Sequence, residues 1–126
     1  ALDSAVTIFE NNFNLGNWDA QLEIPTTKFA AAKEGTKVNV SYSFNEGFNW
    51  GSFNLNWVSK SWKWIPMTSI STAAGYDEQN GCITANTPGI VTITLDKKDA
   101  DNLAKGGQMV IMKGSNLTIT KIELAD

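Results

Sequence analysis

Val38-Asn39-Val40-Ser41-Tyr42-Ser43-Phe44, then Asn45-Glu46-Gly47, then Phe48-Asn49-Trp50-Gly51-Ser52-Phe53-Asn54-Leu55-Asn56-Trp57: this run decides how the chain folds. Its first seven residues alternate without a fault. Val38, Val40, Tyr42 and Phe44 take one face, and Asn39, Ser41 and Ser43 take the other, which is the pattern of a half-buried strand. Asn45-Glu46-Gly47 reads as a turn, so the next segment is expected to return as the partner strand. There Phe53, Leu55 and Trp57 share one face and read as core. Trp50, Ser52, Asn54 and Asn56 share the opposite, water-facing side. A Trp in line with amides and a hydroxyl is a surface suited to holding a sugar ring.

Working outward, Val58–Ser61 reads as a second turn, and Trp62–Ile65 returns until Pro66 ends it. Four of the five tryptophans therefore fall within one stretch. Toward the N-terminus, Val6–Glu10 is a first strand, Asn11–Asn17 a loop rich in Asn and Gly, and Leu22-Glu23-Ile24 a short strand before Pro25. Thr26–Gly35 holds one helical turn anchored by Phe29 and stopped at Gly35. Toward the C-terminus, short strands are expected near Thr68–Thr72 and Cys82–Thr84, with a clear one over Ile90–Leu95. Asp96 caps a helix over Lys97–Lys105 with Leu103 buried. Met109–Lys113 is a strand, Gly114-Ser115-Asn116 a turn and Leu117–Leu124 the last strand. Its apolar phase slips between Ile119 and Ile122, which implies a bulge. Short strands spaced by turn signals imply an all-β sandwich, most simply a jelly roll with one or two helical turns, formed as one domain over residues 1–126.

The totals exclude whole classes of function. The 126 residues suffice for one core, and 42% apolar with 18% charged residues describes a globular chain. Net charge is −3 and every cation is Lys, so no Arg fork is available for phosphate and nucleic acid is not an expected partner. There is no His, which removes Ser-His-Asp, Cys-His and zinc-hydrolase chemistry. Cys82 stands alone and builds neither an intramolecular disulfide nor a Cys-rich metal site. No run reaches the length of a membrane helix. The chain begins at Ala1 without a recognisable signal peptide, as a mature product or an excised domain would.

Both ends of the chain and its central strand resemble a known family. Ile24-Pro25-Thr26-Thr27-Lys28-Phe29 followed by Ala32-Lys33-Glu34-Gly35-Thr36-Lys37-Val38, together with Leu95–Leu103 and Gly114–Leu124, is similar to the ends of β-sandwich carbohydrate-binding modules. These have the galactose-binding-like jelly roll and are attached to bacterial plant-cell-wall glycoside hydrolases. The resemblance implies a non-catalytic, secreted, monomeric domain. It would bind β-glucan-type polysaccharide (cellulose chains, mixed-linkage glucan or xyloglucan) and target a covalently attached hydrolase. In that family the strand matching Trp50–Asn56 carries polar groups, often Gln, toward the ligand; here Ser52, Asn54 and Asn56 stand there. Lys113 occupies another position where Gln is common, and Trp62-Lys63-Trp64 is richer in Trp than the family pattern.

A β-linked glucan offers flat faces of C–H groups rimmed by hydroxyls, matched by indole rings and by amides, Lys or carboxylates. Half-covering one Trp is worth roughly 2–3 kcal/mol before ordering costs. The candidate binding residues are Trp50, Asn54, Trp62, Trp64 and Trp18, each with a plainer alternative. Trp50 can pack under the Asn45–Gly47 loop. Trp62 and Trp64 share a face that is either core, turning Ile65 outward, or surface, turning Lys63 inward. Trp18 matches a family Trp that serves either purpose, Trp57 has core parity, and Tyr76 sits in a loop within reach of a ligand. Glu10, Glu23, Glu46, Asp77 and Glu78 show no spacing that selects a glycosidase pair. Asp77-Glu78 is either a solvated turn or part of a structural calcium site. The competing class is a structural or protein-interaction β-sandwich from a multidomain surface protein, in which the Trp cluster packs against another domain.

Overall fold

A computed structural model describes residues 4–126. The chain is an all-β sandwich of two antiparallel sheets. The first has the order β1 (Val6–Asn14), β10 (Leu117–Ala125), β3 (Lys37–Phe44) and β8 (Gly89–Thr94). The second has the order β2 (Leu22–Pro25), β9 (Met109–Ser115), β4 (Gly51–Val58), β7 (Cys82–Ala85) and β6 (Tyr76–Asp77), with β5 (Trp64–Pro66) pairing on the end of β4. Single 3-10 turns lie at Thr26–Phe29 and Thr68–Thr72, and the helix α1 spans Lys97–Ala104.

The alternation in β3 survives intact: Val38, Val40 and Tyr42 are buried and Phe44 packs against them. On β4, Phe53, Leu55 and Trp57 enter the same core from the opposite sheet. The expected hairpin between these strands does not form. β3 pairs with β10 and β8, whereas β4 pairs with β9 and β7. The two strands bury their apolar faces against each other across the sandwich instead of side by side, and the Asn45–Trp50 segment is the crossover. Gly47 turns it at φ 88°, with Phe48 N–H donating to Asn45 O at 3.0 Å. A period-two pattern reports which face is buried and carries no information on the edge-on neighbour.

Other departures have local causes. β1 runs on through Asn14, into what reads as a loop, because two register shifts against β10 absorb its irregular phase. β9 continues through Gly114 and Ser115, since Ser115 still pairs with Ser52; only Asn116, at φ 65°, makes the turn. Thr68–Thr72 is a 3-10 turn rather than a strand. Ser71 Oγ donates to Thr68 O and Thr72 Oγ1 to Ser69 O, so hydroxyls hold the tighter coil. The slip foreseen in the last strand is a register shift between Ile119 and Lys121 against β3. Helix α1 is capped as its sequence implies, with Asp96 Oδ1 accepting from Asp99 N–H at 2.8 Å and Leu103 buried. Asp99 is itself buried, and burial pushes its carboxyl above the usual range while it accepts from Ser69 N–H.

Candidate functional site

Four of the five tryptophans are exposed, and they lie at the two ends of β4. At the first end Trp18 is 37% and Trp50 46% exposed; at the second Trp62 is 63% and Trp64 46%. Trp57 between them is 6% exposed, and its Nε1 donates to Gly106 O at 3.0 Å.

The first end is built by two loops. Gly16 and Trp18 both sit in the left-handed region, at φ 66° and 67°. Their loop is stitched to its surroundings. Gly16 N–H donates to Asn14 Oδ1 at 2.8 Å, Asn17 N–H to Asp19 Oδ1 at 2.8 Å, and Trp18 N–H to Gly114 O at 2.7 Å. A bridge from Asn17 to Ser115 ties it to the end of β9. The Asn17 N–H bond is the first cause holding the Asp19 carboxyl below the usual range, followed by its own backbone N–H, with Lys113 adding a favourable charge. The crossover supplies Phe48 and Trp50. Together the loops enclose an open groove of about 600 Å³, walled by Trp18, Phe48 and Trp50 and rimmed by Asn14, Asn17, Asn45 and Asn116. The rim is partly locked: Asn45 Nδ2 donates to Asn14 Oδ1 at 2.9 Å, and Thr118 Oγ1 donates to Asn45 Oδ1 at 2.6 Å. Among the described residues the Asn17 and Asn116 carboxamides make no hydrogen bond; Asn17 is exposed and Asn116 buried.

Between the ends lies the outer face of the second sheet. Register places Ser52 beside Ser115, Asn54 beside Lys113, and Asn56 beside Ile111. Ser52, Ser115 and Ile111 are buried, and the face meets solvent through the half-buried Asn54, Asn56 and Lys113. The Asn54 Oδ1 atom is shut from water with no partner, an arrangement that costs about 1–3 kcal/mol for a neutral acceptor.

At the second end β5 sets Trp64 beside Val58, on the side opposite the core-packed Ile65. Trp62 is in the preceding turn at φ 66°, closed by Trp62 N–H to Ser59 O and Ser59 N–H to Lys63 O, each 2.9 Å. The choice between turning Ile65 out and turning Lys63 in does not arise. Strict alternation starts only at Trp64, and both Trp62 and Lys63 are exposed.

The sequence-derived candidates thus divide into groups. Trp18 and Trp50 share one groove, Trp62 and Trp64 stand apart at the far end of the same strand, and Asn54 lies midway. Trp50 stands at one end of β4, one residue before the strand begins. Phe48 and the asparagine rim escape a reading based on strand parity, since they come from irregular segments; the Asn-rich composition of residues 11–17 was the available signal. Tyr76 packs against the core. Asp77 closes its own turn, accepting from Gln79 and Asn80 N–H and from Asn80 Nδ2, and among the described residues no acidic cluster is arranged for a cation. No described helix is long and apolar enough to cross a membrane.

No protein-family profile and no curated protein matches this chain in sequence. Among solved structures it is similar to SGBP-B of the Bacteroides ovatus mixed-linkage glucan utilization locus, determined in complex with a mixed-linkage heptasaccharide. The TM-score is 0.66 at 14% identity, over 96% of this chain. The chain spans 28% of that protein's length, and at this identity the likeness establishes the shared fold.

Proposed function

We propose that residues 1–126 form one non-catalytic carbohydrate-binding domain for β-glucan-type polysaccharide, acting outside the cell. The observation that carries this reading is the groove in which the exposed rings of Trp18 and Trp50 meet a rim of asparagine amides, of which Asn17 is exposed and makes no side-chain hydrogen bond. Indole faces cover the C–H faces of a pyranose while carboxamides bond its hydroxyls, and neither group offers a route for bond cleavage. The fold shared with a protein solved with a mixed-linkage heptasaccharide favours the same class of ligand. Two indole platforms and a few amides support binding in the range of about mM to µM. Such affinity suits a domain tethered to a larger protein, with a glycoside hydrolase or a multidomain surface receptor as the natural carrier.

The test is affinity electrophoresis in gels containing cellulose derivatives, mixed-linkage glucan, xyloglucan, mannan or xylan. Retardation in a β-glucan gel, weakened by Trp50→Ala and by Trp18→Ala, is the expected result. Unretarded migration of the wild type in every gel overturns the reading and transfers the aromatic surface to protein contact.

A further inference from the structure

Resting on that reading, we infer that a single glucan chain lies lengthwise along β4, from the Trp18–Trp50 groove to the Trp62–Trp64 pair, so that the domain grips an internal stretch of polymer. Trp50 precedes β4 by one residue, and Trp64 is registered with Val58 at its other end. Eight residues of strand cover about 27 Å, a length that takes about five or six β-linked pyranose rings. The exposed rings thus stand too far apart for one short oligosaccharide and at a workable separation for a longer one.

Three features of the intervening surface support a continuous track. Its middle presents the half-buried side chains of Asn54, Asn56 and Lys113, while the tryptophans are exposed at both ends. Asn54 lies four residues from Trp50 and four from Val58, with Lys113 beside it. Its Oδ1 is unpaired and closed to water, an unfavourable state that rotation about the soft terminal torsion relieves by turning the oxygen out to a ligand hydroxyl. The third feature is that both outermost rings, Trp18 and Trp62, are held in left-handed backbone, a conformation unfavourable for a bulky side chain, and both remain exposed. Packing covers much of Trp18 and the smaller part of Trp62, and an end-stop on a sugar track uses the ring face that each leaves open.

Calorimetric titration with tri- and hexasaccharides of β-1,4-glucose and of mixed-linkage β-glucose tests this. The expected result is that one hexasaccharide binds per protein, at least about tenfold more tightly than the trisaccharide. Trp64→Ala and Asn54→Ala then weaken the hexasaccharide and leave trisaccharide binding in the Trp18–Trp50 groove unchanged. Equal affinities for the two lengths overturn the inference. So does hexasaccharide binding indifferent to Trp64→Ala, or failure of every hexasaccharide to bind a protein that β-glucan gels retard. Circular dichroism of each variant establishes that it is folded. Failure of the parent reading is separate, because it appears as absence of retardation by any polymer.

Discussion

The two ends of β4 each expose a pair of tryptophans, yet they are different instruments. At the Trp18–Trp50 end the rings are walls of a groove, and amides from Asn14, Asn17, Asn45 and Asn116 surround them. At the Trp62–Trp64 end the rings stand on a hairpin whose polar groups, Ser59 and Ser61, bond to each other at 3.0 Å and to the turn itself. On the proposed reading the first end, with directional bonds as well as contact area, discriminates one sugar from another. On the same reading the second, with two exposed rings and the exposed Lys60 and Lys63 but no rim of amides, adds affinity to any flat, extended chain.

The strongest challenge to this contrast is Trp50→Ala. Loss of a half-covered indole removes about 2–3 kcal/mol of contact, so polymer affinity in gel retardation should drop by roughly thirtyfold or more. Trp64→Ala should cost less and should leave the ranking of different polysaccharides unchanged. A changed ranking would show that the second end also discriminates.

Gly16→Ala addresses the first end alone. A methyl there would sit 2.4 Å from Asp19 Oδ1 on a residue at φ 66°. The Asp19 carboxylate must swing away and release the Asn17 N–H, which with the left-handed backbone costs about 1–2 kcal/mol in chemical denaturation, and ligand affinity should fall nearly as far as in Trp18→Ala. Trp62→Gly addresses the second end and should act in opposite directions on two measurements. Relief of left-handed backbone stabilises the fold by about 0.5–1 kcal/mol, while polymer affinity declines a few fold. If stability drops instead, the Trp62 ring packs usefully and its role as an end-stop is undermined.

The smallest effect concerns acid. The Asp19 carboxyl is held below its ordinary 3.8 by the N–H of Asn17 first and by Lys113 among the lesser causes. A depressed value means that the loop's share of stability is complete above 3.8 and disappears as pH falls through the lowered value. Trisaccharide binding should therefore persist down to that region and fade below it. Asp19→Asn should show weaker binding at neutral pH and a flatter acid limb. Identical acid profiles for the two proteins would remove Asp19 from the account.

Much of the sandwich was legible because burial imposes a period. Val38–Phe44, Phe53–Trp57 and Ile90–Leu95 each announce a strand, and Asp96 announces the helix with its cap. The sheet to which each strand belongs was not legible, and the expected hairpin of β3 with β4 failed for that reason. Edge-on pairing is made of backbone bonds that are chemically alike in every strand. The same limit governs the site. Parity separates Trp57, which is core, from Trp50 and Asn54, which are not. The groove itself arises where Asn14–Trp18 and Asn45–Trp50 meet, and residues some thirty positions apart are brought together by the crossover rather than by any local pattern.

The burial of Trp57 beneath a surface that carries every other indole has an optical consequence. Four indoles look out on water and one is sealed against Gly106 and Gly107. Glycan contact should therefore perturb the long-wavelength emission and leave the blue component unaltered, whereas denaturation should erase the blue component. The molecule thus contains two independent fluorophore populations, and one spectrum can follow occupancy and integrity without any added label.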